Sequence, residues 1–259
     1  MQFAKSADGT RIAWSKGGAG PVLVVVNGAL SGHTSTDMLR HWLEPHFTVV
    51  GYDRRGRGES GDTRPYAPER EIEDLAAVIG ANGPSALVFG HSAGAVLALE
   101  ATMHGLPIAR LAVNEPPYIL PGTRPLPPPE LAGQLTLLAQ VDDREAMVEL
   151  FLRDEVGVPA AAIKQMQAQP AWKSMIAMAP SVLHDARLLG RHEVPSGRLS
   201  RIGIPTIVFG GGASFPWLLA TARAVADFIP RAEFRLLPDQ PHSPAPHVLC
   251  PELVSFFRA

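Results

Sequence analysis

The sequence predicts an α/β fold, with a mostly parallel central sheet, helices on both faces and a helical insertion within the chain. Short continuous apolar runs, typical of strands buried on both faces, alternate with segments of helical periodicity. A proline-rich stretch at 116–129 interrupts this alternation, and helical spacing without a strand follows it until about residue 189. The alternation returns near residue 204. We therefore expect core segments at 1–119 and 197–259, separated by a helical cap at 120–196.

The core elements are expected in the following order. A short strand at 11–14 follows an Asp8-Gly9 turn and forms half of an N-terminal hairpin. The apolar runs predict buried strands at 22–26, 47–52 and 86–89, and helical spacing predicts helices at 68–79 and 95–103. Another strand ends at Glu115. Beyond the insertion, the pattern predicts strands at 204–209 and 233–237 and helices at 216–228 and 249–257.

Composition excludes several classes of function. The chain has 259 residues, 46% of them hydrophobic, and a formal net charge of −2. Only Lys164 and Lys173 follow Lys16, so the clustered basic residues of a nucleic-acid-binding surface are missing. No apolar run approaches the roughly 20 residues that cross a membrane, and the N-terminus lacks the apolar segment of a signal peptide. The single cysteine, Cys250, fits a reducing compartment, and we expect a cytoplasmic protein.

The most informative motif is Gly90-His91-Ser92-Ala93-Gly94, which has the form G-x-S-x-G. It follows a predicted strand and opens a predicted helix, the context in which a sharp turn exposes a nucleophilic serine. The glycines and small neighbours allow backbone segments to approach closely. The start of the helix also presents free N–H groups, and the Ala93 amide is placed to stabilise an oxyanion. Ser92 is therefore the predicted nucleophile.

With this motif in its strand–helix context, the chain resembles the α/β-hydrolase superfamily, specifically capped serine esterases and lactonases. Asn27-Gly28-Ala29 occupies the place of the family's His-Gly-x turn, and the resemblance implies that the Ala29 amide is the second oxyanion donor. Asn27 replaces the usual His without touching this backbone donor. The stretch from Asp53 to Ser60 resembles the family's Asp-x-Arg-Gly-x-Gly-x-Ser turn, for which we expect a structural role with Arg–Asp pairing near the site.

The general base is assigned to His242. In the chain order of this superfamily the base comes last, between the final strand and the final helix, and His242 occupies that loop. His247 is the alternative, although it lies close enough to the final helix to be a surface residue. The nine histidines show no H-x-x-x-H or H-E-x-x-H spacing, and the sequence predicts neither a metal nor a cofactor.

The acid is the main departure from the family pattern. Related enzymes usually place an Asp after the strand that follows the cap, but residues 209–215 contain no acid. Glu115 is the best candidate, because it ends the strand after the nucleophile helix, at the sheet edge where catalytic residues collect. Two alternatives stay open. In the first, Glu115 pairs with Arg54 or Arg55 instead of the histidine. In the second, the site is a Ser–His dyad assisted by Ser214 or water.

The expected substrate is a small molecule, because the cap is rich in apolar side chains and poor in basic ones. Most of these apolar residues are expected to form the core of the cap, and some are expected to roof the site. The predicted substrate-binding residues are Gly28, Leu30, His91, Met147, Phe151, Trp172 and Phe215. No macromolecular partner is indicated, and the sequence leaves open whether the chain is a monomer or a homodimer.

These features together predict a serine hydrolase that cleaves a largely uncharged ester or lactone through an acyl-enzyme. The same Ser–His site could instead perform perhydrolysis, carbon–carbon bond hydrolysis or a non-hydrolytic reaction, because a fold does not determine its chemistry. A third alternative is a ligand-binding protein that retains the fold with little turnover. The lack of an acid at 209–215 is the feature that keeps this last alternative open.

Overall fold

The computed structural model describes residues 1–259 and contains one eight-stranded sheet. The strands are β1 (Gln2–Lys5), β2 (Arg11–Gly17), β3 (Val22–Val26), β4 (Thr48–Tyr52), β5 (Ala86–His91), β6 (Ile108–Asn114), β7 (Thr206–Gly211) and β8 (Ala232–Leu237). Their order across the sheet is β1-β2-β4-β3-β5-β6-β7-β8. The first two strands pair antiparallel with their neighbours, and β3 to β8 form a parallel array. The predicted mostly parallel α/β fold is therefore confirmed.

The helices divide between the core and the insertion. The core helices are α1 (Asp37–Leu43), α2 (Pro68–Asn82), α3 (Ala93–Met103), α10 (Pro216–Phe228) and α11 (Pro246–Arg258). Between β6 and β7 lie α4 (Leu131–Gln140), α5 (Arg144–Leu150), α6 (Ala160–Gln167), α7 (Ala171–Ala177), α8 (Val182–Leu189) and α9 (Ser196–Leu199). A π-helical turn at Phe151–Val156 continues α5. None of these helices is long and apolar enough to cross a membrane.

The sheet is covered on both faces, as the apolar runs of its strands require. In β3, Val24 and Val26 pack into a 32-residue cluster with α2, α3 and α10, whereas Leu23 and Val25 pack into a 16-residue cluster with α1 and α11. This alternation follows from the two-residue period of a strand. A third cluster of 12 buried residues lies mainly within the insertion, and it includes Leu30 from the loop after β3.

The parallel strands place their carboxyl ends along one edge of the sheet. The loop after β3, the turn after β5, Glu115 after β6 and the loop after β8 all begin at this edge. Residues separated by more than 100 positions in the chain therefore meet in space. Ligand sites of open α/β sheets form at this edge, in the crevice beyond the strand ends.

Candidate active site

Ser92 occupies the sharp turn between β5 and α3. Its backbone has φ 56° and ψ −124°, an arrangement that a residue with a side chain rarely adopts. A Cβ added to Gly94 would overlap the Val26 carbonyl oxygen, and one added to Gly90 would lie 2.6 Å from the Gly94 carbonyl oxygen. The two motif glycines therefore allow α3 to start directly against β3 and β5. The side chain of Ser92 is half-buried in this turn.

Glu115 lies immediately after β6 and is fully buried. Its Oε1 accepts a hydrogen bond from the Gly211 backbone N–H at 2.7 Å. Its Oε2 accepts one from the Ser214 hydroxyl at 2.7 Å and lies 2.6 Å from Nδ1 of His242. A buried carboxylate is tolerated only when its oxygens are satisfied in this way. The alternative in which Glu115 pairs with Arg54 or Arg55 is wrong, because both arginines bind other carboxylates.

His242 is held beside the nucleophile turn by two further contacts. Its backbone carbonyl accepts a hydrogen bond from the Asn114 side chain at 3.0 Å, and the Asn114 carbonyl accepts one from the Ser92 N–H at 2.9 Å. The rings of His242 and His91 lie 4.8 Å apart between centroids. No hydrogen bond joins the Ser92 hydroxyl to the ring in this structure, and such contacts often tighten only when substrate binds.

The protonation of His91 follows from the contacts of Asn114. The Asn114 amide must present its nitrogen to the His242 carbonyl, so the same nitrogen donates to Nδ1 of His91 at 3.1 Å. His91 therefore carries its proton on Nε2. Burial and the neighbouring His242 ring lower the pKa of His91 to about 3, which keeps it neutral near pH 7. His242 thus packs against an uncharged ring.

The two predicted oxyanion donors belong to the helix start after Ser92 and to the loop after β3. Neither the Ala29 N–H nor the Ala93 N–H donates a hydrogen bond within the chain. Gly28 approaches so closely that an added Cβ would lie 3.1 Å from Cβ of Ser92. Asn27 holds this loop, since its side-chain amide donates to the Gly32 carbonyl and to the Thr36 hydroxyl, both at 3.0 Å. The arrangement leaves two free N–H donors next to the serine.

Arg57, which the sequence analysis did not single out, contacts the same loop. Its guanidinium donates to the Gly28 carbonyl at 2.7 Å and to both carboxylate oxygens of Asp185 at 2.7 Å. Asp185 lies on α8 and also accepts a hydrogen bond from Arg54 at 2.9 Å. All three side chains are almost fully buried. No local sequence signal pairs Arg57 with Asp185, because 128 residues separate them.

The rest of the loop around Arg57 contains buried Arg–Asp pairs, as expected, but Asp53 is not part of them. It accepts hydrogen bonds from the backbone N–H groups of His33 and Glu59 and contacts the His33 ring at 3.0 Å. The nearby arginines pair instead with acids of other elements: Arg54 with Glu71 and Asp185, Arg55 with Asp74 and Asp8. Burial opposes ionisation of Glu71, but Arg54 outweighs it and lowers the pKa of Glu71 to about 2.

The predicted substrate-binding residues are distributed over several places. Gly28 and His91 line a cavity of about 230 Å³ between the loop after β3 and the His242 loop. Met147 borders a larger cavity of about 660 Å³ between the insertion and the 56–66 loop. Leu30, Phe151 and Trp172 are buried in the apolar cluster of the insertion, where the Trp172 indole donates to Glu145 at 2.9 Å. Phe215 is half-buried at the start of α10, next to Ser214.

His247, the alternative base, has a different environment. It lies in the first turn of α11, is exposed, and its ring is 6.5 Å from that of Trp42. No contact joins it to Glu115. Of the two histidines considered, the structure brings only His242 to the acid.

Comparison with known proteins shows the family to which the chain belongs. The model of the alpha/beta hydrolase family matches residues 23–254. An alpha/beta hydrolase from Sphaerobacter thermophilus is 48% identical, with a TM-score of 0.96 over 99% of this chain and 100% of the other. The fold is shared by an esterase from Rhodococcus (18% identity, TM-score 0.75, 100% and 98% coverage) and an enol-lactonase from Burkholderia xenovorans (17%, 0.77, 100% of both chains). The chain belongs to the alpha/beta hydrolase family.

Proposed function

We propose that this hydrolase is a serine esterase or lactonase that acts through an acyl-enzyme. The observation that carries the proposal is the buried Glu115 carboxylate 2.6 Å from Nδ1 of His242, in a loop that packs against the Ser92 turn. This is the arrangement in which an acid orients a histidine and stabilises the imidazolium that forms during catalysis. The acid comes from the end of β6 instead of the strand after the cap.

In the proposed mechanism, Ser92 Oγ attacks the substrate carbonyl carbon while Nε2 of His242 takes the hydroxyl proton. The imidazolium keeps its Nδ1–H directed at Glu115, which remains a carboxylate. The negative charge on the former carbonyl oxygen is received by the N–H groups of Ala29 and Ala93. His242 then returns its proton to the leaving alkoxide. Water, activated by the same histidine, hydrolyses the acyl-enzyme and restores Ser92.

The surroundings of the site favour an uncharged substrate. The three arginines that follow β4, Arg54, Arg55 and Arg57, are almost fully buried, and each is paired with carboxylates. They are therefore not available to bind an anionic group. On the opposite side, Leu30 joins the loop to the apolar cluster of the insertion, and Met178 lies next to Gly32. Small to medium esters and lactones with apolar substituents suit this environment.

The two alternative functions differ in what they require. Perhydrolysis, carbon–carbon bond hydrolysis and non-hydrolytic reactions use the same Ser–His pair, so product analysis distinguishes them from ester hydrolysis. The binding-protein alternative was based on the lack of an acid at 209–215. The hydrogen bond between Glu115 and His242 supports catalysis over that alternative.

The proposal is tested with a fluorophosphonate probe, which labels activated serines. We expect labelling at Ser92, located by peptide mass spectrometry, and its loss in His242→Ala. The matched control is His247→Ala, which removes the exposed histidine five positions later and should label as the wild type does. A folded wild-type protein that is not labelled at Ser92 contradicts the proposal and favours the binding-protein alternative.

The substrate class is tested with matched esters that differ only in charge. We expect kcat/KM for a neutral aryl butyrate to exceed that for the corresponding hemisuccinate by at least about tenfold, because the buried arginines near the loop after β3 are already paired and do not receive the free carboxylate. The kcat/KM for a neutral lactone of similar size is measured alongside the two esters. Equal or better turnover of the anionic ester would contradict the assignment to uncharged substrates while leaving the serine mechanism intact.

A further inference from the structure

The hydrogen bond from Arg57 to the Gly28 carbonyl acts on the same peptide group that carries the Ala29 N–H. The only cis peptide bond in the chain joins Arg64 to Pro65, so the peptide between Gly28 and Ala29 is trans. In a trans peptide, the carbonyl and the following N–H point in opposite directions in one plane. When Arg57 fixes the carbonyl oxygen at 2.7 Å, it also fixes the direction of the N–H.

The same contact strengthens the donor. A charged guanidinium that binds a carbonyl oxygen polarises the peptide, and hydrogen bonds in series reinforce one another in a buried environment. The Ala29 N–H on the other side of the peptide has no partner within the chain. The positive charge of Arg57 therefore acts on an N–H that is free to bind a ligand oxygen.

Arg57 is in turn held by the insertion. Both oxygens of Asp185 on α8 lie 2.7 Å from one guanidinium nitrogen, while the other nitrogen binds Gly28. Both side chains are inaccessible to solvent. The planar guanidinium has a fixed geometry, so Asp185 sets the direction in which Arg57 donates to the loop. A side chain of the cap is thus connected to the Ala29 amide through two charge-assisted contacts.

We propose that Arg57 is a positioning residue that aims and polarises the Gly28–Ala29 peptide as an oxyanion donor, and that Asp185 makes this dependent on docking of the cap. The inference rests on the proposed function, since it assigns a role within the same site. It predicts a specific loss of transition-state stabilisation when Arg57 is altered. A purely structural ion pair would change stability alone.

The test compares Arg57→Lys with Arg55→Lys. Lysine retains the charge but cannot hold the Gly28 carbonyl and Asp185 with one planar group. For Arg57→Lys we expect kcat on a neutral ester to fall by about 10- to 100-fold with little change in KM. Affinity for a trifluoromethyl ketone, which forms an oxyanion adduct with Ser92, should fall in parallel. Arg55 is buried and paired with Asp74 and Asp8 but does not touch the loop, so Arg55→Lys should lower the Tm without changing either quantity.

Two further measurements make the result decisive. The downfield proton resonance of the His242 Nδ1–H should persist in Arg57→Lys, because the contact with Glu115 is not altered. Asp185→Asn preserves the side-chain shape and removes the charge. It should lower kcat and ketone affinity in parallel, but each by a smaller factor than Arg57→Lys does. If Arg57→Lys does not fold, the Asp185→Asn variant replaces it in the test.

The outcomes separate this inference from the proposed function. Wild-type protein labelled at Ser92, with kcat and ketone affinity unchanged in folded Arg57→Lys or Asp185→Asn, overturns the role of Arg57 alone. The same holds if Arg55→Lys lowers them as much as Arg57→Lys does. Wild-type protein without Ser92 labelling overturns the proposed function, and this inference with it.

Discussion

Glu115 combines two unfavourable features that folded proteins tolerate only with compensation. Its side chain is a carboxylate with 0% exposure, and its backbone has φ 46°. Burial of a charge and a left-handed conformation each destabilise the folded state by about 1 kcal/mol or more. Three hydrogen-bond donors compensate the charge. The unfavourable backbone and the buried charge therefore occur at the residue that the proposed mechanism uses as its acid.

The position of this acid and its pairing with His242 could be predicted from the sequence, but the contacts that hold its carboxylate in place could not. A carboxylate at the end of a strand that follows the nucleophile helix must lie at the ligand-binding edge of a parallel sheet. The Ser214 hydroxyl that binds it comes from a loop 99 positions later, and no periodicity connects the two. Asn114 was likewise not predicted, although it positions both His91 and His242.

Replacing Glu115 by Gln should reduce kcat by about 10²- to 10⁴-fold. The amide has one acceptor oxygen where the carboxylate has two, so it cannot accept from Gly211 and Ser214 and also receive the proton of Nδ1 on His242. Steady-state kinetics on an aryl ester measure the effect, with far-ultraviolet circular dichroism confirming the fold. The exposed Glu69→Gln serves as the control and should retain full activity. Near-normal turnover in Glu115→Gln would remove Glu115 from the mechanism.

At the scale of elements, the strand β5, its turn and the helix α3 form the unit that exposes Ser92. An apolar run predicted the strand because β5 is buried on both faces, and helical spacing predicted the helix that follows it. The motif predicted the turn because close packing of α3 against β3 excludes a side chain at residue 94. In contrast, nothing in the pattern of residues 37–43 predicted α1, and the docking of α8 depends on ion pairs between distant residues.

Two glycine-to-alanine variants test this unit against an ordinary helix. Gly94→Ala places a methyl group on the Val26 carbonyl oxygen and should destabilise the fold by about 2 kcal/mol, a fall in Tm of several degrees. It should also lower kcat, because the Ser92 turn must move. Gly80→Ala lies in α2 with no atom within 4 Å of the added Cβ, and should stabilise the protein by about 0.5–1 kcal/mol. Equal effects of the two variants in differential scanning calorimetry would contradict the packing argument.

At the scale of the whole molecule, buried ion pairs join the core to the insertion. The molecule also contains several histidines with little exposure to solvent. Burial lowers the pKa of His91 to about 3, that of His192 to about 4, and that of His184 below its usual value. His192 and His184 lie in the insertion or at its end, and His91 lies in the core. Glu155 behaves in the opposite sense, since burial raises its pKa to about 7. The pH dependence of stability follows from the balance of these four groups, two of which, His192 and Glu155, are in contact at 3.2 Å and titrate as a pair.

The protein should lose stability as the pH falls from about 6.5 to 5. In this range the unfolded chain protonates all three histidines. The folded protein keeps His91 and His192 neutral, and the lowered pKa of His184 makes that ring bind its proton less readily than in the unfolded chain. Each difference favours unfolding by up to about 1.4 kcal/mol per group and pH unit. Glu155 opposes them, because the folded protein retains its proton while the unfolded chain releases it above about pH 4.5. Three groups outweigh one, and partial exposure of His91 reduces the sum. We expect a net loss of about 1 kcal/mol or more in urea unfolding.

Variants on the two sides of this balance should change the slope in opposite directions. His192→Gln removes one of the three histidines and should flatten the dependence of the unfolding free energy on pH. Glu155→Gln removes the opposing group and should steepen it. The exposed His104→Gln should leave it unchanged. If stability were equal at pH 6.5 and 5, or if both variants shifted the slope in the same direction, buried neutral histidines would not determine the response of the fold to acid, and its charge pairs would have to account for it.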